Sequence, residues 1–296
     1  MSDEPCVSSS RPPDASIRAG LVLVSTPIGN LGDMTERGIA ALRVADLVLC
    51  EDTRVTRRLA GAFGISARLS ALHEYNEEQR IPEVLAALAR GLRVALVSDA
   101  GTPVLSDPGF RLVRAAVAAG LAVSAVPGPS AAVMALTISG LPPSPFLFLG
   151  FPPARGGPRR AAFTRIAALE RAGLRATLIW HEAPHRLAAT LADLAGIFGA
   201  REAAVARELT KRFEEVRRGT LAELAEHYRE AKALGEITLV VGPAAAMEAP
   251  EEKIEGLLKA LLGRGMSLKE AVASVAGETG AKRREVYARA LALKHA

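Results

Sequence analysis

From Gly20 onward the chain alternates short, β-rich apolar runs with amphipathic helical runs, separated by Gly, Pro and Asp turns. That alternation reads as a parallel sheet with helices on its faces, because parallel neighbours need a crossover long enough to hold a helix. Strands are expected at Leu21–Ser25, Leu47–Cys50, Arg68–Ala71, Arg93–Ser98 and Ala122–Val126. Helices are expected at Thr35–Val44, Val55–Phe63, Glu77–Arg90, Gly109–Ala119 and Ser130–Ser139. Residues 20–141 thus make one α/β domain.

Leu141–Pro145 carries three prolines in five residues, continues neither element type and is the expected linker. A second α/β domain, 146–243, follows, with strands at Phe146–Gly150, Ala176–Trp180, Glu202–Arg207, Glu215–Gly219 and Ile237–Val241. Helices fall at Arg159–Arg171, Pro184–Leu194 and Leu221–Glu230; the closer strand spacing predicts a more mixed sheet. Pro243–Pro250 reads as a tether, and 251–296 as three short helices, the second capped by Ser267 and the third beginning near Lys282. Two helices joined by a short glycine-containing turn fit a helix-turn-helix or a simple packing hairpin.

Composition narrows the function classes. The chain has 296 residues, with 37 Lys+Arg against 32 Asp+Glu, and 49% of it is hydrophobic, so it has the makeup of a globular protein rather than a disordered one. The excess charge is uneven: residues 1–150 hold 13 basic and 14 acidic residues, and 151–296 hold 24 and 18, so a polyanion would be drawn to the second half. Ala115–Ala154 has no charged residue, but its seven prolines from Pro127 to Pro153 cut it into pieces too short to cross a membrane, and it is expected to be interior. Residues 1–19 lack an apolar signal core and are expected to be a disordered tail. Cys6 and Cys50 form neither a disulfide framework nor a metal-spaced set, which points to the cytoplasm.

Three Gly/Pro loops follow successive strands and outline a crevice: Ser25–Asp33, Ser98–Gly109 and Val126–Ala132. In doubly wound sheets such strand ends are where ligands approach backbone and helix N-termini. None matches GxGxxG or GxxxxGK[ST]. His181-Glu182-Ala183-Pro184-His185 spells HExxH, which binds zinc only on a continuous helix, and Pro184 inside the motif after a strand excludes that geometry. Arg207–Glu215 is a dense charged run at another strand end, readable as a solvated face or as a site. Within it, a lysine desolvated near other cations can lose its proton and act as a base, which singles out Lys211.

Taken together, Thr26–Asp33, Glu51–Arg54, Ser98–Gly109, Val126–Ala132, His181–Arg186 and Arg207–Lys211 resemble the tetrapyrrole methylase superfamily. They are most similar to its RNA-acting branch, the small-subunit ribosomal RNA cytidine 2'-O-methyltransferases, and Pro27-Ile28-Gly29-Asn30 in place of a GxGPG-like first loop favours that branch. The resemblance covers about Gly20 to Gly242, and the last three helices resemble the branch's terminal helical domain. It implies a two-domain α/β methylase with S-adenosylmethionine in the cleft between domains, no metal, a homodimer, and a cytidine ribose in the decoding region of 16S ribosomal RNA as acceptor. Cofactor contacts are implied for Pro27, Gly29, Asp99, Ala100, Gly101, Ser130, Ala131, His181, Arg207 and Glu236.

Methyl transfer from a sulfonium is an in-line displacement that needs alignment and a dry cleft rather than a metal. A ribose hydroxyl is a poor nucleophile, so a base is expected: Lys211, with Glu208 or Glu182 as alternatives. RNA contacts are expected from Arg155, Arg159, Arg160, Arg212, Lys282, Arg283 and Arg284. The competing functions are a corrin-pathway C-methyltransferase and a non-catalytic RNA-binding protein. The basic second half and terminal helices disfavour the first, and three unexplained cleft loops disfavour the second.

Overall fold

The computed structural model describes residues 18–245 and 251–295; most of the tail expected at 1–19 and most of the tether lie outside them. The first sheet consists of β1 (Gly20–Val24), β2 (Leu47–Cys50), β3 (Leu69–Ala71), β4 (Arg93–Leu96) and β5 (Val123–Val126). All pairings are parallel, in the order β3-β2-β4-β1-β5. Its crossovers are α1 (Glu36–Val44), α2 (Thr53–Phe63), α3 (Glu77–Ala89), α4 (Phe110–Ala118) and, after β5, α5 (Ala131–Ser139). Helix α2 starts two residues earlier than expected because Asp52 accepts a hydrogen bond from the Arg54 amide and caps it. Alternate residues of the strands feed two apolar layers. Val22, Val48 and Ala95 pack with Leu42 and Ala60 of α1 and α2 on one face, and Leu21, Leu49 and Val94 with Val84 and Leu112 of α3 and α4 on the other.

The second sheet is mixed, as the strand spacing predicts: β6 (Phe146–Phe148), β7 (Thr177–Glu182), β8 (Glu202–Arg207), β9 (Glu215–Thr220) and β10 (Ile237–Val241) run in the order β6-β7-β10-β8-β9. Only β6–β7 is parallel. One face carries α6 (Gly156–Arg171), α7 (Leu187–Phe198) and α8 (Leu221–Glu230) over Leu178, Trp180 and Leu239.

The other face is covered by α5. Ala132, Ala135 and Leu136 pack on Ile179, Ala204 and Val240, with Ile28 and Leu209 closing the cluster. Arg218 of β9 donates to the Ser139 carbonyl at 3.0 Å and also to Ile138, satisfying the C-terminal end of α5. Through this packing of α5 on the second sheet, residues through Pro243 form one compact unit. A helix without a single charge can serve this way because its buried face meets the apolar face of the second sheet, with Ile28 and Leu209 of two loops beside it. The uncharged run is not uniformly interior, however. Val117 is 62% exposed, Phe146 43% and Phe151 55%, and β5 is an edge strand with Ser124 and Ala125 open to solvent.

The second unit, from Ala244, holds α9 (Glu251–Gly263), α10 (Leu268–Thr279) and α11 (Arg283–His295). Ser267 and Glu270 make a reciprocal capping box at the start of α10, and Gly280 at φ 69° ends it. Ile254, Leu258, Val272, Val275 and Val286 form its core.

Candidate active site

In the order β3-β2-β4-β1-β5, the chain leaves β1 toward β2 and leaves β4 in the opposite direction toward β5. The carboxyl ends of β1 and β4 therefore flank a topological switch point, where open parallel sheets present a crevice. The three loops identified from the sequence meet there. Thr26 and Gly101 exchange backbone hydrogen bonds at 2.9 and 3.1 Å. Thr26 Oγ1 donates to the Ser98 carbonyl at 3.1 Å, and Thr102 Oγ1 to the Pro129 carbonyl at 3.1 Å. Gly101 sits at φ 79°, and a Cβ there would lie 3.2 Å from Ile28 Cγ2. The backbone is held open at this point, with small residues on either side.

A cavity of about 310 Å³ lies between these loops and the second sheet, within the size range of small-molecule sites. Of the residues for which the resemblance implies cofactor contact, Ala100, Gly101, Ser130, Ala131, His181 and Glu236 line it. Pro27, Gly29, Asp99 and Arg207 are not part of its lining. Asp99 accepts from the Asp52 amide at 3.1 Å, and Arg207 is engaged by Glu215 at 2.6 Å. Gly29 has a different role: a Cβ there would overlap the Lys211 side chain, so the glycine makes room for that lysine. The lining also includes Leu105, Ser106, Asp107, Phe148, Phe151 and Thr238, none of which the sequence reading singled out.

The second-sheet wall is aromatic. His181 lies on β7 between Phe148 and Phe151, with ring centroids at 4.9 and 5.5 Å. Its Nδ1 is 3.1 Å from Thr238 Oγ1. Burial pushes the imidazole pKa down, so the ring is neutral at neutral pH. The HExxH letters do not form a helical pair: β7 ends at Glu182, and a 3-10 turn spans Pro184–Arg186.

Glu182 is not available as a base. Its carboxylate, fully enclosed, accepts from the Ala183 amide at 2.7 Å, Arg186 Nε at 2.7 Å and Thr190 Oγ1 at 2.5 Å. It fixes the turn after β7. Lys211 likewise lacks the cationic neighbours that would lower its pKa and make it a base; its side chain meets anions. Its Nζ lies 2.8 Å from Glu208 and 3.4 Å from Glu236. Desolvation alone would lower the lysine pKa, but the Glu208 hydrogen bond and the two carboxylate charges outweigh it and hold the ammonium above the usual range. Hydrogen bonds from Lys211 and the Glu236 amide in turn hold the Glu208 carboxyl below its ordinary range, so it is a committed carboxylate. A Cβ at Gly235, φ 80°, would overlap Glu208, so the ammonium–carboxylate group is seated between two glycines.

On the first-sheet side, acidic groups gather at the ends of β2 and β4. Burial and the charges of Asp99 and Asp52 push the Glu51 carboxyl upward, and burial pushes Asp99 upward. Burial and the charges of Glu51 and Asp99 raise Asp107 to about 6. Of the basic residues expected to meet RNA, Arg155, Arg160 and Arg212 are exposed, as are Lys282, Arg283 and Arg284 in the second unit. Arg159 is not: it is 5% exposed and paired with Asp193 at 2.6 Å, an internal tie between α6 and α7.

Residues 20–225 match the family described as Tetrapyrrole (Corrin/Porphyrin) Methylases. The chain belongs to the tetrapyrrole methylase family. Residues 248–294 match a second family, the RsmI C-terminal HTH domain, which favours the helix-turn-helix reading of α10 and α11 over a mere packing hairpin. Among tetrapyrrole methylase relatives, a Mesorhizobium japonicum protein named Ribosomal RNA small subunit methyltransferase I is 47% identical over 95% of both chains. A Xylella fastidiosa protein of the same name is 47% identical over 90% of this chain and 97% of its own. The fold is shared with the crystal structure of the methyltransferase CobJ, at TM-score 0.56 and 20% identity, covering 78% of this chain and 97% of that one.

Proposed function

We propose that the protein transfers a methyl group from S-adenosylmethionine to the ribose 2'-hydroxyl of a cytidine in the decoding region of 16S ribosomal RNA, acting in the cytoplasm as a homodimer. The observation that carries this reading is the near full-length likeness to proteins named Ribosomal RNA small subunit methyltransferase I, terminal helical unit included. The site's chemistry is in keeping with it. A cavity of about 310 Å³ with small-residue backbone loops on one wall and an aromatic wall opposite suits an adenosyl group and an amino-acid tail. Asp99 and Glu51 give its first-sheet side a negative potential that favours a cationic sulfonium. When bound, the cofactor supplies an already activated methyl carbon.

The chain's own residues then bind, orient and exclude water. Ala100, Gly101, Ser130 and Ala131 offer close backbone approach, and His181, Phe148 and Phe151 form the apolar wall. The exposed Arg155, Arg160 and Arg212 are the proposed phosphate contacts of this unit, with Lys282, Arg283 and Arg284 those of the terminal one. A corrin-type acceptor is the second reading, favoured by the family's description. It leaves the terminal helices without a role. Calorimetry with S-adenosylmethionine, followed by tritiated methyl transfer to small-subunit RNA and to a porphyrinoid precursor, separates the two. Label in the RNA alone is expected, and label in the porphyrinoid alone contradicts the proposal.

A further inference from the structure

The methyl acceptor's proton needs a destination, and the groups first expected to take it are engaged: Glu182 by three donors, Glu208 and Lys211 by each other. We propose that Asp107, in the loop between β4 and α4, is the catalytic base that accepts the proton of the attacking hydroxyl, an assignment that rests on the methyl-transfer reading above. Asp107 lines the cavity. Among the described residues, no donor or cation holds its carboxylate; the charges acting on it are those of Glu51 and Asp99. A carboxylate facing a small-molecule cavity with both oxygens uncommitted, beside two further anions, is a stronger proton acceptor than a solvated one.

The backbone around it is shaped for this placement. Val104 and Ser106 are non-glycine residues at φ 76° and 72°, each a conformation that costs on the order of 1 kcal/mol or more and persists only where surroundings impose it. Pro108 restricts Asp107 to extended backbone. On the far side, Gly150 at φ 63° lets the Phe148–Phe151 segment approach until a Cβ there would stand 3.3 Å from Ser106 Oγ. The loop and that segment thus meet at the cavity that both line, to which an acceptor such as a nucleotide within RNA would present its hydroxyl.

The step balances. The ribose O–H bond breaks with its proton passing to an Asp107 carboxylate oxygen. A bond forms from that ribose oxygen to the methyl carbon, and the methyl–sulfur bond opens with its electron pair remaining on sulfur. One anion, one neutral alcohol and one sulfonium become a neutral acid, an ether and a neutral sulfide. Charge separation is removed within a low-dielectric site, which favours the forward direction. The titratable groups facing Asp107 are Glu51 and Asp99 on its own side. Across the cavity stand His181, Glu182 held by Arg186, and Glu236 beside Lys211.

The test is single-turnover transfer of labelled methyl from S-adenosylmethionine to 16S RNA in small subunits, with wild type, Asp107→Asn and Asp107→Glu, alongside calorimetric cofactor binding. Asp107→Asn is expected to bind the cofactor within about threefold of wild type yet transfer about 10²–10⁴ times more slowly, while Asp107→Glu recovers part of the rate. The wild-type rate should fall about tenfold per pH unit below about 6, and this inflection should vanish in Asp107→Asn. Asp107→Asn turnover within about threefold of wild type, a retained inflection, or lost cofactor binding overturns the assignment, the last making Asp107 an anchor rather than a base. Wild-type protein that labels no RNA refutes the underlying reading instead.

Discussion

An unpaired, partly buried carboxylate costs stability whenever it is ionised, so replacing Asp107 with asparagine should make the protein more stable at neutral pH. Its pKa rises from an ordinary 3.8 to about 6 on folding. At about 1.4 kcal/mol per pKa unit, this interval sets a ceiling of about 3 kcal/mol on the cost, and partial solvation of the loop reduces it to about 1–2 kcal/mol. The folded state binds the proton more tightly than the unfolded one. The penalty is therefore absent below about pH 4, grows between about 4 and 6, and is complete above the folded pKa. With about 2–4 °C in Tm per kcal/mol for a unit of this size, Asp107→Asn should melt about 2–8 °C above wild type at pH 8. Near pH 4 the two should coincide. Thermal unfolding followed by circular dichroism at both pH values reads this directly. An Asp107→Asn protein that melts below wild type at pH 8, or shows the same difference at both pH values, refutes the reasoning. A gain in stability together with a loss of turnover is the trade expected of a strained functional group.

Truncating the enclosed Glu182 in Glu182→Ala strands Arg186 and Thr190 and should cost about 3–5 kcal/mol in denaturant unfolding; a loss below about 1 kcal/mol would show that it does not anchor the turn after β7. Gly29→Ala should push the Lys211 ammonium off Glu208 and Glu236, so the Glu208 titration seen by NMR should move upward from its depressed position, and an unchanged titration contradicts the seating described. Replacing Arg155, Arg160 and Arg212 together with glutamine should weaken RNA binding and reduce its log–log salt slope by about 2 while leaving Tm nearly unchanged; an unchanged slope removes them from the interface. Arg159→Ala should do the reverse, lowering Tm by leaving the largely buried Asp193 carboxylate without its buried partner and leaving the salt slope alone.

The parallel sheet, the mixed second sheet and the terminal helices were legible because apolar periodicity and cap residues are local signals. Ser267 with Glu270 and Gly280 are examples. The place of α5 was not. Its uncharged sequence marks it as buried, but which sheet it covers is decided by long-range packing on Ile179, Ala204 and Val240. At the site, the Gly/Pro loops pointed to the crevice, and Ala100, Gly101, Ser130 and Ala131 fell on its wall. Roles set by neighbours could not be read from the chain. Lys211 lies in a run rich in cations, yet its side chain meets two carboxylates. Asp107 lies in the loop that was singled out, but only burial and its neighbours distinguish it from Asp99, which a backbone amide engages. Arg159 and Arg160 are adjacent in sequence, and helix phase alone sends one inward to Asp193 and leaves the other exposed.

The most direct measurement is mass spectrometry of small-subunit ribosomal RNA nucleosides from cells lacking this protein, compared with wild type and with a complemented strain. Loss of a single 2'-O-methylcytidine in the decoding region, restored by the wild-type gene, is the expected result. Unchanged 2'-O-methylation in the deletion strain would contradict the proposed function.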